Sequence, residues 1–364
     1  MMKILFVMQL PPPLHGVSAC NEMVREMVVD NTDYQYKIIA NNYNKSISEL
    51  EGFNWRKILI LLKKYFELIY LIFIFRPNKA YFVISPHGAA FYRDLIFITT
   101  LKLARVKLVY HLHGKGIAEK SVFLQKIFRF CFKNADLICL SPLLAKDVEN
   151  VAQCASISIV MNGVHAELVD LERLQLEKSS IVDGTRPVRI AMLSNLQWFK
   201  GVDYFLHLAK ALLQTRTDVE FHLAGPFTAT FTGDDYADFQ RDLGDLAERF
   251  IYHGALYNSE KDRFMSAMDI LVHPTRNDAL PLVIIEALAA GLMVVATPQG
   301  GIPDLLADLV GSEVVVPEKI TQAVENLLEQ KDQFATFAAA SRARYLARHT
   351  QQAFMANLQK VLVK

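Results

Sequence analysis

The apolar positions of the chain fall into short runs separated by helix-length amphipathic segments. In the first half these runs are KILFVM (3–8), YKIIA (36–40), AYFVI (80–84), KLVYHL (107–112), DLICL (136–140) and SISIVM (156–161). In the second half they are VRIAML (188–193), VEFHLAG (219–225), FIYHGAL (250–256), DILVHP (269–274), LMVVAT (292–297) and EVVVP (313–317). Strands apolar on both faces, alternating with helices, predict parallel, doubly wound sheets. Two such series predict two Rossmann-like α/β domains facing each other across a cleft. In this architecture ligands sit beyond the carboxyl ends of the strands, so the residues after each run are the ones to examine. Residues 165–187 are polar, contain Asp183-Gly184 and read as a linker. From Gln333 to Lys364 the chain has neither Gly nor Pro and predicts helix.

One charge stands out against this pattern. Between Leu282 and Ala290 every residue except Glu286 is apolar, so a helix opened by Pro281 would be buried on all faces. An unpaired carboxylate there would cost several kcal/mol, so Glu286 requires a partner. Asp278 lies eight positions earlier, and the free N–H groups of a helix start attract anions. Hydroxyls and phosphates would satisfy such a constellation.

Other strand ends offer further groups. After the first run, QLPPPLHGVSACNEMV places His15 and Gly16 in a loop stiffened by three prolines, with Ser18 as a helix cap. The loop could offer amides to a phosphate or be a plain β–α turn, since neither GxGxxG nor a Walker pattern is present. SPHGAA and HLHGKG place His87 and His113 beside glycines, with Lys115 close by; their plain alternative is strand-end capping. Lys200-Gly201 lies at a loop-to-helix junction, a position suited to phosphate. Asp234-Asp235 read as helix-start residues rather than metal ligands. Ser141-Pro142 should open a helix and Asn162-Gly163 a turn.

The run D-x-L-P-x-x-x-x-E-A-x-A-x-G, then a hydrophobic strand and T-P-x-G-G, resembles the acidic-x7-acidic region of retaining glycosyltransferases of family 4, which have the GT-B fold. The resemblance implies that Glu286 binds the ribose of a sugar nucleotide and that Asp278, standing where Glu is more common, contacts the transferred sugar. It further implies that Ala279, Leu280, Pro281 and Leu282 at the helix start meet the diphosphate. By the same resemblance Lys200 binds the diphosphate, with Asn195 at a position usually held by Arg. Gly16 lies by the donor phosphate and Gly225 and Gly254 give room to the nucleotide. His113 faces the sugar, and His15, His87 and Lys115 fall on the acceptor side. The expected domains are 1–165, acceptor-binding and joined by a final helix at about 350–364, and 166–349, which binds the nucleotide sugar.

Length and composition agree with this class. With 364 residues, 52% of them hydrophobic, the chain can build two cores. Residues 1–165 carry 20 Lys and Arg against 12 Asp and Glu, and the remainder 19 against 26. The companions of the basic half are bulky apolar side chains, which favours an anionic membrane surface over nucleic acid. In the stretch from Trp55 to Lys79 the longest uncharged run, Leu68 to Phe75, is too short to span a bilayer. It reads either as a core helix edged by snorkelling lysines or as a surface membrane contact. Cys20, Cys131, Cys139 and Cys154 form no C-x-x-C pair and read as reduced core residues. The start of the chain shows no export signal, so a cytoplasmic protein, peripheral at the inner membrane face, is expected.

The expected activity is therefore retaining transfer from a nucleoside-diphosphate sugar, UDP- before GDP-, to a saccharide or polyprenyl-diphosphate-linked saccharide in surface-polysaccharide assembly. No metal or other cofactor is expected. Two alternatives stay open at this point: a non-catalytic glycosyltransferase-like partner subunit and a GT-B nucleotide-sugar epimerase.

Overall fold

The computed structural model describes residues 1–13, 15–31, 33–43 and 55–363. The chain divides into two units, Met1–Asn162 with Gln351–Lys364, and Gly163–Thr350. The division falls between Asn162 and Gly163, within three residues of the expected 165/166 boundary; neither residue is in a turn. The second unit ends and the first resumes at Thr350-Gln351; the end of the chain at Lys364 lies outside the described residues.

The first unit has strands β1 (Met2–Met8), β2 (Tyr34–Ala40), β3 (Lys79–Ile84), β4 (Lys107–Leu112), β5 (Asp136–Cys139) and β6 (Ser156–Ile159). They form one parallel sheet in the order β2-β1-β3-β4-β5-β6. Ile4 to Met8 and Lys79 to Ile84 are buried throughout, as strands covered by helices on both faces must be. The second unit has β7 (Val188–Leu193), β8 (Val219–Ala224), β9 (Phe250–Tyr252), β10 (Ile270–His273), β11 (Met293–Ala296) and β12 (Ser312–Val314). Its order is β12-β11-β10-β7-β8-β9, again all parallel. Each sheet therefore has a point where the strand order reverses, between β1 and β3 in one and between β7 and β10 in the other. This is the GT-B architecture.

The expected linker is in part a helix, Leu171–Val182. Leu174 and Ile181 are buried on one face, and Lys178 between them is as deeply buried, its ammonium 2.5 Å from Asp269 Oδ1 and 3.0 Å from the Met268 carbonyl. The segment reads as polar because its buried lysine finds its counter-ion 91 residues away. Arg186 also reaches the fully buried Asp269, at 2.7 and 2.9 Å, and the Arg189 amide at 2.9 Å completes the set.

Trp55–Ile74 is a helix of which only Leu68 and Leu71 are buried, so it is not a core helix. Trp55, Leu59, Leu62, Phe66, Tyr70 and Phe73 recur every three or four positions and are all exposed, Phe66 to 67% and Phe73 to 69%. Among the described residues no helix is long and apolar enough to cross a membrane. Cys20, Cys131 and Cys139 are buried, Cys154 is partly so, and all four are free thiols.

Candidate functional site

In the second unit the loops after β7 and β10 open side by side where the strand order reverses. The β7 loop carries Asn195 and Lys200, and the β10 loop carries Asp278 to Leu282. Gly201 has φ 80°, and a Cβ there would lie 2.0 Å from the Pro274 carbonyl oxygen, so the two loops touch backbone to backbone. Arg276 donates to both carboxylate oxygens of Asp203, at 2.7 and 2.5 Å, and its guanidinium lies 4.1 Å over the Tyr204 ring. These contacts fix the two loops to each other.

Lys200 Nζ then donates to Asp278 Oδ1 at 2.6 Å, and His273 Nε2 meets Asp278 Oδ2 at 3.0 Å. Burial alone would raise the Asp278 carboxyl. His273 and Lys200 outweigh it and hold the group well below the usual carboxylate range. Both oxygens of the expected sugar-binding acid are thus engaged by the protein, one of them by the expected phosphate-binding lysine. Gly300, at φ 56°, would bring a Cβ within 2.3 Å of the Ala279 carbonyl oxygen, and the Gly301 amide donates to that oxygen at 2.7 Å. The Gly-Gly turn after β11 thereby holds Ala279 against the sheet edge.

Leu280 and Pro281 are buried, and the helix that follows runs Leu282–Ala290. Ile284, Ile285, Ala287, Leu288 and Ala289 are buried around a half-buried Glu286. Its partner within the protein is Lys261, with Nζ 2.6 Å from Oε1. Asn195 is exposed. The room beside Gly225 is taken by the Ser194 carbonyl, 1.7 Å from a Cβ placed there, because β7 and β8 leave the sheet in contact. Gly225 is required for that close chain approach. Gly254 accepts from the Gly225 amide at 2.7 Å, and the position of its Cβ is open.

In the first unit His15 and Gly16 follow β1, and His87 follows β3, again flanking the reversal of strand order. The helix cap is His15, not Ser18 as expected: His15 Nδ1 accepts from the Ser18 amide at 3.3 Å, and Ser18 Oγ accepts from the His15 amide at 2.9 Å. No neighbouring atom blocks a Cβ at Gly16. His87 Nδ1 accepts from Lys120 Nζ at 2.7 Å, which leaves Nε2 to donate to the Lys115 carbonyl at 2.9 Å. His87 thus ties down the loop that carries Lys115. His113 packs 4.1 Å from the His111 ring, and its Nε2 is buried without a partner among the described residues. Burial, with His15 adding to it, lowers its pKa to about 4, so it is neutral at pH 7.

Among the described residues no three His, Cys, Asp or Glu side chains are grouped to hold a metal ion. Asp235 completes a capping box with Thr232, in line with the reading of Asp234-Asp235 as helix-start residues. Lys261, His273, Arg276 and Asp203 were not singled out from the sequence. His273 ends a strand as His87 and His113 nearly do, and the same criterion would have found it. Lys261 lies in no motif, and only the packing of its helix, Asn258–Ala267, on Leu282–Ala290 brings it to Glu286.

Residues 187–330, which contain both loops and Glu286, match the family described as Glycosyl transferases group 1. The match lies wholly within the second unit. The phosphatidylinositol N-acetylglucosaminyltransferase GPI3 subunit of Saccharomyces cerevisiae is 24% identical over 62% of this chain and 50% of its own length. The chain thus spans about half the length of the curated relatives it matches first. A 41.2 kDa protein in the cps region of Klebsiella pneumoniae is 24% identical over 64% of this chain and 71% of its own length. Among solved structures, Anabaena HepE in complex with UDP superposes on this chain with a TM-score of 0.70 and 16% identity, covering 100% of both chains.

Proposed function

We propose that the protein is a retaining glycosyltransferase that moves a sugar from a nucleoside-diphosphate sugar, UDP- in preference to GDP-, to a lipid-linked saccharide of a surface polysaccharide. The observation that carries this reading is the pairing of Lys200 with Asp278 across the two loops at the strand-order reversal, beside the helix that bears Glu286. The UDP bound by HepE supports the donor class, and the cps location of the Klebsiella protein supports the pathway class.

Departure of a nucleoside diphosphate leaves negative charge on phosphate while the sugar becomes oxocarbenium-like. A fixed ammonium aimed at that phosphate stabilises the transition state more than the ground state. Lys200 fills this role, and Asp278 with His273 keeps its ammonium in place before the donor arrives. Glu286 accepts hydrogen bonds from the ribose hydroxyls, and the start of helix Leu282–Ala290 faces the diphosphate. The acceptor hydroxyl attacks the anomeric carbon on the face from which the diphosphate leaves, and a phosphate oxygen takes its proton. No enzyme base is needed in this scheme, and Lys200 supplies the charge that a metal supplies elsewhere. His113 contacts the sugar as a neutral ring, with His15, Gly16, His87 and Lys115 on the acceptor side.

The acceptor reading rests on the first unit. Residues 55–133 carry 15 Lys and Arg against three Asp and Glu. The exposed apolar stripe of Trp55–Ile74 lies within this basic region, next to helix Gly88–Leu103. Such a face suits the headgroup region of an anionic bilayer, where lipid-linked acceptors reside. Sedimentation with phosphatidylglycerol vesicles tests this point. Binding should be lost in Phe66→Glu/Phe73→Glu and weakened by salt, and a protein indifferent to the vesicles would remove the membrane from the account. The activity is tested by nucleotide release from a panel of UDP- and GDP-sugars with lipid-linked acceptors. If nucleotides bind but no sugar transfers, the non-catalytic subunit reading gains, which the GPI3 relative's description as a subunit also suggests.

A further inference from the structure

Glu286 is held by a partner that no part of the scheme above uses. Lys261, on helix Asn258–Ala267, places Nζ 2.6 Å from Glu286 Oε1, and the two side chains are 26% and 15% exposed. Among the described residues no other hydrogen bond reaches the Glu286 carboxylate. That carboxylate accepts about four hydrogen bonds and an ammonium donates three, so the pair keeps unused capacity on both sides. Its surroundings are apolar, since Ile285 and Ala287 beside Glu286 are fully buried. Separating the ions would leave two half-buried charges unpaired, which is costly.

We propose that Lys261 is a donor-specificity residue that acts with Glu286 on the ribose; this rests on the assignment of Glu286 as the ribose-binding carboxylate. A ribose cis-diol has two hydroxyl protons to give and two oxygens able to accept. A carboxylate alone answers only the protons. The adjoining ammonium answers an oxygen of the same diol, so the intact ion pair matches both capacities of the sugar and need not separate when the donor binds. A 2′-deoxyribose removes one hydroxyl and leaves part of this polar pair without a partner. Sites built around a substrate hydroxyl reject the analogue lacking it more strongly than apolar pockets reject a missing methylene. The protein should therefore select ribonucleoside over 2′-deoxyribonucleoside donors, and Lys261 should carry a separable share of that selection.

The test is calorimetric binding of UDP, GDP and ADP and their 2′-deoxy counterparts to the full chain, with Lys261→Met, Lys261→Arg, Glu286→Ala and the charge-neutral double variant Lys261→Met/Glu286→Gln. The wild type should favour the ribonucleotide by about 30-fold or more, the scale of a hydrogen bond to a charged group. Lys261→Met should reduce that ratio to about threefold, Lys261→Arg should restore most of it, and the saturated turnover rate should change far less than KM. The double variant, which leaves no unpaired charge, shows by its melting temperature whether loss of fold explains the change. A Lys261→Met protein that keeps the wild-type ratio, or binds the ribonucleotide more tightly than wild type, overturns the inference. If the wild type binds no nucleotide at all, the assignment of Glu286 fails as well. If Glu286→Ala abolishes binding while Lys261→Met preserves the ratio, only the role of Lys261 fails.

Discussion

Lys200 Nζ lies 2.6 Å from Asp278 Oδ1 across 78 residues of sequence, and the same carboxylate holds His273 through its other oxygen. The contact joins the loops on either side of the strand-order reversal, and it leaves the expected phosphate lysine and the expected sugar acid satisfied by each other. In the proposed scheme an incoming diphosphate would replace a carboxylate already in position, so the ammonium would not have to be recruited from solvent. Replacing Lys200 by Ala should lower kcat/KM by about 10²- to 10³-fold, the usual result of removing one transition-state cation or oxyanion donor. Asp278→Asn should lower it less, because Lys200 stays but loses its anchor. Steady-state kinetics of both variants checks this, and equal losses would show that the two act as one unit.

The fully buried Asp269 joins Lys178, Arg186 and the Arg189 amide at the foot of the second unit. Burial raises its carboxyl and the cations outweigh that, so its folded pKa is lowered. Asp269→Asn leaves Lys178 buried against a neutral group and should cost about 3–5 kcal/mol in urea unfolding. A loss under about 1 kcal/mol would mean that water reaches the cluster.

The pH dependence of stability follows from His113. Its folded pKa, about 4, lies below the unfolded value near 6.5, so the unfolded chain binds its proton first as pH falls. The stabilisation is complete above about pH 6.5 and is lost between there and about pH 4, amounting to about 2 kcal/mol by pH 5. Asp278, shifted down, contributes in the same direction at lower pH, with its share lost as pH falls through its folded pKa. His113→Gln should flatten the fall in melting temperature between pH 7 and 5, and an unchanged slope would contradict the burial of this ring.

The strands were readable because each is an apolar run bounded by turn residues, and all twelve fall within about two residues of the expected starts. Glu286 was readable because burial makes one charge in an apolar helix conspicuous. The partners were not. Lys178 and Lys261 look like solvated helix residues, and what distinguishes them is a carboxylate brought close by packing, 91 and 25 residues away. His15 was passed over as a cap because Ser is the commoner choice, yet the imidazole Nδ1 accepts the same amide. At Gly225 the structure adds a reason for glycine that the sequence does not show, since the Ser194 carbonyl takes the space a Cβ would fill. The stripe of Trp55–Ile74 has a helical period that fits burial or exposure equally, so sequence alone left both readings open.

Calorimetric titration of the wild type and Glu286→Ala with UDP, GDP, ADP and dTDP, without added metal, tests the central claim most directly. One ribonucleoside diphosphate should bind the wild type, and Glu286→Ala should weaken it by about 100-fold or more, as expected when hydrogen bonds to a charged group are lost. Binding of none of them, or equal binding by both proteins, would contradict the assignment of this unit as the donor site.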